Sequence, residues 1–238
     1  MSDTFTFTVD GVEVAAEPGQ TILEAAQNAG IYIPRLCHRD GLEPAGACRV
    51  CTVMVDGRPQ TACNFPASEG VVVDNETDQL LELRRDIIDM LFVEGNHWCM
   101  FCEKSGDCEL QALAYRFGIA APSFPFQFPA DRQADLSHPD IWIDRDRCIL
   151  CGRCVRASRD LDGKHVFDFV DRGPAKRIAV NAEARLRDTD ADVTDEALEV
   201  CPVGALMKKG TGFDVPVGRR TYDWEPIGSE IEKRQTQE

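Results

Sequence analysis

Several things are scarce or missing in this chain of 238 residues, and each absence removes a class of protein. There is no run of about 18 apolar residues, so no transmembrane helix and no membrane insertion are expected. The opening MSDTFTFTVDG has no apolar leader core and already reads as a strand. Positive charge is short: 26 Lys and Arg stand against 41 Asp and Glu, giving a formal net charge of −15. So acidic a chain repels a phosphate backbone, which argues against nucleic acid as a partner; the acidity reads as a means of solubility. No G-x-G-x-x-G follows a strand, no P-loop occurs, and no Ser, His and Asp stand in an order that suggests an activated nucleophile. No catalytic residue and no residue for NAD or flavin is therefore expected in the chain itself.

Cysteine is what the chain has in excess. There are eleven, an odd number, and seven fall in tight C-x2-C or C-x2-C-x2-C runs. Residues so near in sequence are awkward to bridge as disulfides. With no leader the expected location is the cytoplasm, where thiols stay reduced and such spacing reads as metal binding.

The pattern between the cysteines suggests an α+β chain. TFTFTV (4–9) alternates, Asp10-Gly11 turns, and Val12–Val14 returns, a hairpin signal. A helix is expected from Thr21 to about Asn28, with Gly30 as its stop. CTVMV (51–55), a second Asp-Gly turn and VVVDN (71–75) supply further strands. That order is the order of a β-grasp domain, placed at 1–78. Leu80, Leu83, Ile87 and Leu91 recur at helical steps, and Gly95 should end that helix. A second helix, Glu109 to Phe117, follows Cys108 and completes a helical unit at 79–120. APSFPFQFPADRQ (121–133) is a connector expected to pack through its phenylalanines, and opens a last folded unit at 121–225. Residues 226–238 are polar and expected to be a mobile tail.

The cysteines divide into three sets. Cys37, Cys48, Cys51 and Cys63 are spaced C-x10-C-x2-C-x11-C, and four thiolates on loops of a β-grasp domain suit a [2Fe–2S] cluster. Gly41, Gly46, Ala45 and Ala47 would let backbone N–H groups approach the sulfurs. Zinc is the competing reading, but it prefers two paired C-x2-C halves, and one is present here. Cys148, Cys151, Cys154 and Cys201 form C-x2-C-x2-C plus a remote C-P, a [4Fe–4S] signature; Pro202 would aim Cys201 by ending the helix before it. Cys99, Cys102 and Cys108 remain, and a cubane needs a fourth ligand. His97 stands two residues before Cys99, and imidazole is a competent iron ligand. Eleven cysteines and His97 make twelve ligands for one [2Fe–2S] and two [4Fe–4S] clusters. Asp107 or water could also fill the position, and zinc held by three cysteines and one histidine is the main competitor. His38, His138 and His165 have no such neighbourhood.

These three sets, in this order, resemble the N-terminal part of the large iron–sulfur subunit of respiratory complex I, with relatives in iron-only hydrogenases and NAD-linked formate dehydrogenases. EGNHWCMFCEKSGDCELQA (94–112), DRCILCGRC (146–154), RGPAKRI (172–178) and GFDVPVGRRTY (212–222) are similar to the small diaphorase subunits of soluble NAD-reducing nickel–iron hydrogenases. In complex I-like relatives the histidine stands four residues before the first cysteine; the spacing of two at His97 is that of the hydrogenase subunits. The chain lacks the paired C-x2-C motifs near both ends that hold a nickel–iron centre. The resemblance therefore implies an electron-transfer subunit, three domains (β-grasp, one-histidine helical, ferredoxin-like) and a relay between a hydrogenase site and a flavin that reduces NAD+. Its implied partners are a flavin- and NAD-binding diaphorase subunit and the small and large hydrogenase subunits. The alternative is the same role in a formate dehydrogenase or a complex I-like enzyme. Trp98, Phe101, Trp142 and Phe124–Phe128 are candidate contact residues, although shielding of the clusters from water is the simpler expectation for them.

Overall fold

Alternation decides the first layer. In β1 (Phe5–Val9) Phe7 and Val9 point inward, and β2 (Val12–Ala16) returns antiparallel through Asp10 and Gly11, both at positive φ. The computed structural model describes residues 4–127, 132–183 and 185–234. α1 (Ile22–Asn28) begins with a capping box: the Thr21 hydroxyl accepts from the Glu24 N–H, and the Glu24 carboxylate accepts from the Thr21 N–H at 2.8 Å. Gly30 follows at φ 76°, a conformation glycine adopts without strain. β3 (Thr52–Val55), β4 (Arg58–Thr61) and β5 (Val72–Asp74) complete a sheet of order β2-β1-β5-β3-β4 with β5 parallel to β1. This is the β-grasp order, and Ile22, Leu23, Ala25 and Ala26 of α1 share its core with Phe7, Val9, Val53 and Val73.

α2 (Asp78–Val93) starts where the Thr77 hydroxyl accepts from the Leu80 N–H. Its deepest line is Leu80, Arg84 and Ile88; Leu83, expected to face the core, lies outward, and Ile87 and Leu91 pack at the margin. The arginine hides this face from a hydropathy reading. Arg84 is only 1% exposed and its donors are taken by the carbonyls of Val50, Thr52 and Asn75 and by Asn75 Oδ1. The helix ends at Glu94 in right-handed backbone, so Gly95 has a different task from the expected stop. α3 (Glu109–Arg116) starts directly after Cys108.

The C-terminal part is built of short pieces. β6 (Ile141–Ile143) pairs antiparallel with β9 (Leu206–Lys208), and β7 (Phe167–Val170) with β8 (Arg177–Val180). α4 (Arg153–Asp160) and α5 (Glu196–Glu199) lie between them in sequence, and Ala157, Phe167, Ile178, Leu198 and Leu206 share one core.

A further core runs across the segments. Tyr32, Leu36 and Val50 pack in one cluster with Ile88, Leu110 and Leu113 and with Val203, Ala205, Ile227 and Ile231. The middle segment thus buries its apolar face against both neighbours. Ile227 and Ile231 also correct the expectation of a mobile tail from 226. α6 (Ser229–Glu232) docks there, Arg116 donates to the Ile227 carbonyl at 2.9 Å and pairs with Glu232, and residues 235–238 lie outside the described residues. A two-isoleucine face in a polar run gives too little periodicity to announce a helix. The connector is corrected as well: Phe124 and Phe126 are exposed, and Phe128 lies outside the described residues. Backbone N–H groups also hold it, from Ser123 to the Asp89 carboxylate at 2.7 Å and from Gln127 to the Val93 carbonyl at 3.0 Å.

Candidate metal centres

The first set converges on the loops of the β-grasp sheet. The Cys37 N–H points at Cys48 Sγ and the Cys48 N–H at Cys37 Sγ, each at 3.4 Å. Arg49 turns between Cys48 and Cys51 at φ 63°, and Cys37, Cys51 and Cys63 are fully buried. Hydrogen bonds from Cys48 and Cys63 hold the Cys37 thiol far down, and one from Cys63 lowers Cys51. Cys48 and Cys63 are pushed far up, first by their bonds to these same sulfurs and then by burial. Four sulfurs this close cannot all ionise without a counter-charge, which a bound metal cluster would supply.

In the middle set, His97, Cys99, Cys102 and Cys108 line one small cavity with Phe92, Gln111, Arg147 and Gly204. His97 Nε2 is buried and has no hydrogen-bond partner. Burial first, and the Arg147 charge second, lower its pKa to about 4, so the imidazole is neutral and its lone pair is available. Phe92 fixes the ring edge to face, with centroids 5.6 Å apart. The role of Gly95 is room: a Cβ there would stand 2.7 Å from His97 Nε2 and 2.8 Å from the Asp146 carbonyl. Burial pushes the Cys108 thiol up to about 12. Asp107, the other candidate ligand, is committed elsewhere and accepts from the Thr221 N–H at 2.9 Å. Among the described residues, no three His, Cys, Asp or Glu side chains close on a point as the ligands of one metal ion do. The four side chains here surround a cavity instead.

In the third set the C-x2-C-x2-C run curls through Leu150 at φ 54°, which turns the Leu150 N–H onto Cys148 Sγ at 3.4 Å. Cys154 feels the charges of Cys148, Cys151 and Cys201, so the remote cysteine belongs to this group. Burial raises Cys148 to about 11, Cys151 to about 12 and Cys154 well above the ordinary thiol value. Cys201 follows α5, and the Pro202 carbonyl accepts from the Glu109 N–H at 2.9 Å, tying this loop to the start of α3.

Sequence reading missed the arginines that connect the sets. Arg153, 1% exposed, donates twice to the Glu109 carboxylate at 2.6 and 2.7 Å, to the His38 carbonyl at 2.7 Å and to the Val200 carbonyl at 3.3 Å. Those partners adjoin Cys108, Cys37 and Cys201, so one side chain touches a neighbour of each set. Arg156 donates to the Cys37 carbonyl at 2.5 Å, to the Cys151 carbonyl at 3.3 Å and to the Glu43 carbonyl. Arg147 reaches Cys102 Sγ at 3.7 Å. The only hint was that arginines stand inside the cysteine run of an acidic chain.

The chain matches known proteins over most of its length. Residues 2–78 match the 2Fe-2S iron-sulfur cluster binding domain, 84–122 the NADH-ubiquinone oxidoreductase-G iron-sulfur binding region, and 138–207 the ferredoxin-like domain of NADH-quinone oxidoreductase subunit 3. The NAD-reducing hydrogenase HoxS subunit gamma of Cupriavidus necator is 39% identical over 92% of this chain and 94% of its own. The NADPH-Fe(3+) oxidoreductase subunit alpha of Geobacter sulfurreducens is 33% identical over 87% of this chain, which spans 24% of that longer protein. A chain in the crystal structure of an NAD+-reducing [NiFe]-hydrogenase in the H2-reduced state superposes with a TM-score of 0.92 at 46% identity, covering 97% of this chain and 98% of that one. The chain is a mixed α/β protein with 2Fe-2S and 4Fe-4S ferredoxin-type domains, and it belongs to the family of the gamma subunits of NAD-reducing hydrogenases.

Proposed function

We propose that this chain is the electron-relay subunit of an NAD-reducing nickel–iron hydrogenase, working in the cytoplasm between a hydrogenase module and a flavin- and NAD-binding diaphorase module. It contributes to that oxidoreductase without a substrate-converting site of its own. Cys37, Cys48, Cys51 and Cys63 would hold a [2Fe–2S] cluster. His97, Cys99, Cys102 and Cys108 would hold one [4Fe–4S] cluster, and Cys148, Cys151, Cys154 and Cys201 a second. Iron–sulfur clusters supply one-electron carriers when bound. The protein's part is to hold the thiolates and the imidazole, exclude water and fix the spacing of the sites. Three domains are the natural division, at 1–78, 79–120 and 121–225, with the cores fused as described. The observation that carries the reading is that Arg153 alone ties together segments next to all three ligand sets. Such linkage suits sites that must keep fixed distances from one another.

Partners would be the diaphorase subunit and the small and large hydrogenase subunits. The shielding expectation for the aromatic residues does not fit the middle loop. Trp98, Met100 and Phe101 are 68%, 86% and 72% exposed beside Cys99 and Cys102, while Trp142 is half-buried under Arg147 at 5.2 Å. An apolar loop over a cluster site is a surface for a protein partner.

The test is anaerobic purification with its partners, followed by assay of iron, acid-labile sulfide and zinc per chain. About ten irons, no zinc and hydrogenase and diaphorase subunits in the same fraction are expected. About six irons with one zinc would make the middle site structural. Co-purification of a formate dehydrogenase or a complex I-like enzyme in their place would move the relay to that system.

A further inference from the structure

We infer that Arg147 is a positioning residue that sets the reduction potential of the middle site, raising it through a charged hydrogen bond to Cys102, with Glu103 as its counterweight. The inference rests on the reading that His97, Cys99, Cys102 and Cys108 hold a cluster. Arg147 Nη1 lies 3.7 Å from Cys102 Sγ and 2.8 Å from Glu103 Oε2, and its Nε lies 2.9 Å from Asp144 Oδ2. The Arg147 side chain is four-fifths buried and lines the same cavity as the four proposed ligand side chains. Gly204 makes the approach possible: a Cβ there would stand 2.8 Å from Cys102 Sγ and 3.6 Å from Arg147 Nη1. The loop after Cys201 thus passes close to both the sulfur and the cation, and glycine is the residue that fits there.

The sign follows from electrostatics. Reduction adds negative charge to a cluster and its thiolates. A guanidinium aimed at one of those sulfurs favours the reduced form and raises the potential, as hydrogen bonds to ligand sulfurs do. Glu103 and Asp144 oppose it by neutralising part of the charge. Removing the cation and removing the nearer carboxylate should thus move the midpoint in opposite directions. A side chain that merely filled space would give no such pair of signs.

The experiment is a redox titration followed by electron paramagnetic resonance on the assembled protein, comparing wild type with R147Q, R147K and E103Q. In R147Q the middle cluster should become harder to reduce by roughly tenfold in the one-electron equilibrium, a shift of about 59 mV downward. R147K should fall between R147Q and wild type, and E103Q should shift the midpoint upward. The midpoint of the first set's two-iron cluster should stay fixed in all of them. An unmoved middle midpoint in R147Q, or shifts of the same sign in R147Q and E103Q, overturns the inference. A wild-type protein carrying only two clusters by iron count and signal would instead overturn the reading on which it rests.

Discussion

His97 shows how much a single residue can depend on an unremarkable neighbour. Its imidazole is buried and neutral, with Nε2 unpartnered among three cysteines, and Gly95 leaves the room it stands in. A Cβ 2.7 Å from that nitrogen must displace the ring, because the other close atom is the fixed carbonyl of Asp146. G95A is expected to lose about four irons per chain, with the other clusters retained, as read by iron assay and by the paramagnetic signals. Retention of the full iron content in G95A would mean that the fourth ligand is not His97. Tyr222 reports on a different corner. Burial raises its phenol to about 12, and burial raises Tyr32 further still. A folded-state pKa above the unfolded value of 10.0 gives stability that is complete below pH 10 and is lost as pH rises through about 12. Unfolding midpoints measured from pH 9 to 12 should fall in that window, together with the appearance of tyrosinate absorbance.

Among the elements, α3 and α4 matter through the charges at their starts. Glu109 opens α3, Arg153 opens α4, and the two form a buried bidentate pair. R153M leaves Glu109 without its cation and strands the carbonyls of His38 and Val200. The expected cost is about 3–5 kcal/mol in chemical denaturation, beyond what loss of a surface pair would give. An exposed pair such as Arg159–Asp160 provides the control, since R159M should leave the denaturation midpoint nearly unchanged. The short 3-10 turn Cys99–Phe101 behaves differently: it buries nothing apolar of its own and shows Trp98, Met100 and Phe101 to solvent. W98S with F101S should leave iron content and unfolding midpoint unchanged and weaken co-purification of the partner subunits. Unchanged recovery of the complex would place the interface on another face.

Taken whole, the molecule has three cysteine sets, proposed as cluster sites, but fused cores. The middle segment packs its Ile88, Leu110 and Leu113 against residues from both ends of the chain. Stability and the spacing of the proposed cluster sites are therefore coupled, and the unfolding of one unit should expose the others. No helix among the described residues is long and apolar enough to cross a membrane.

The sequence alone determined the features that depend on near neighbours. The Asp10-Gly11 and Asp56-Gly57 turns, the Thr21–Glu24 capping box and the succession of strands and helix along the chain follow from local dihedral preferences and alternation, whereas the pairing of β1 with the distant β5 is tertiary. The grouping of the cysteines was legible for the same reason, because C-x2-C spacing limits which sulfurs can share a centre. Tertiary structure decided what distance in sequence conceals. Hydropathy reads Arg84 and Arg153 as surface residues, yet both are buried: distant carbonyls and Asn75 take the donors of Arg84, and the Glu109 carboxylate with the carbonyls of His38 and Val200 takes both terminal nitrogens of Arg153. Ile227 and Ile231 looked like part of a polar tail until Tyr32 and Leu110 supplied a core to receive them. Arg147 could not be linked to Cys102 from spacing, since 45 residues separate them and only folding brings the charge to the sulfur.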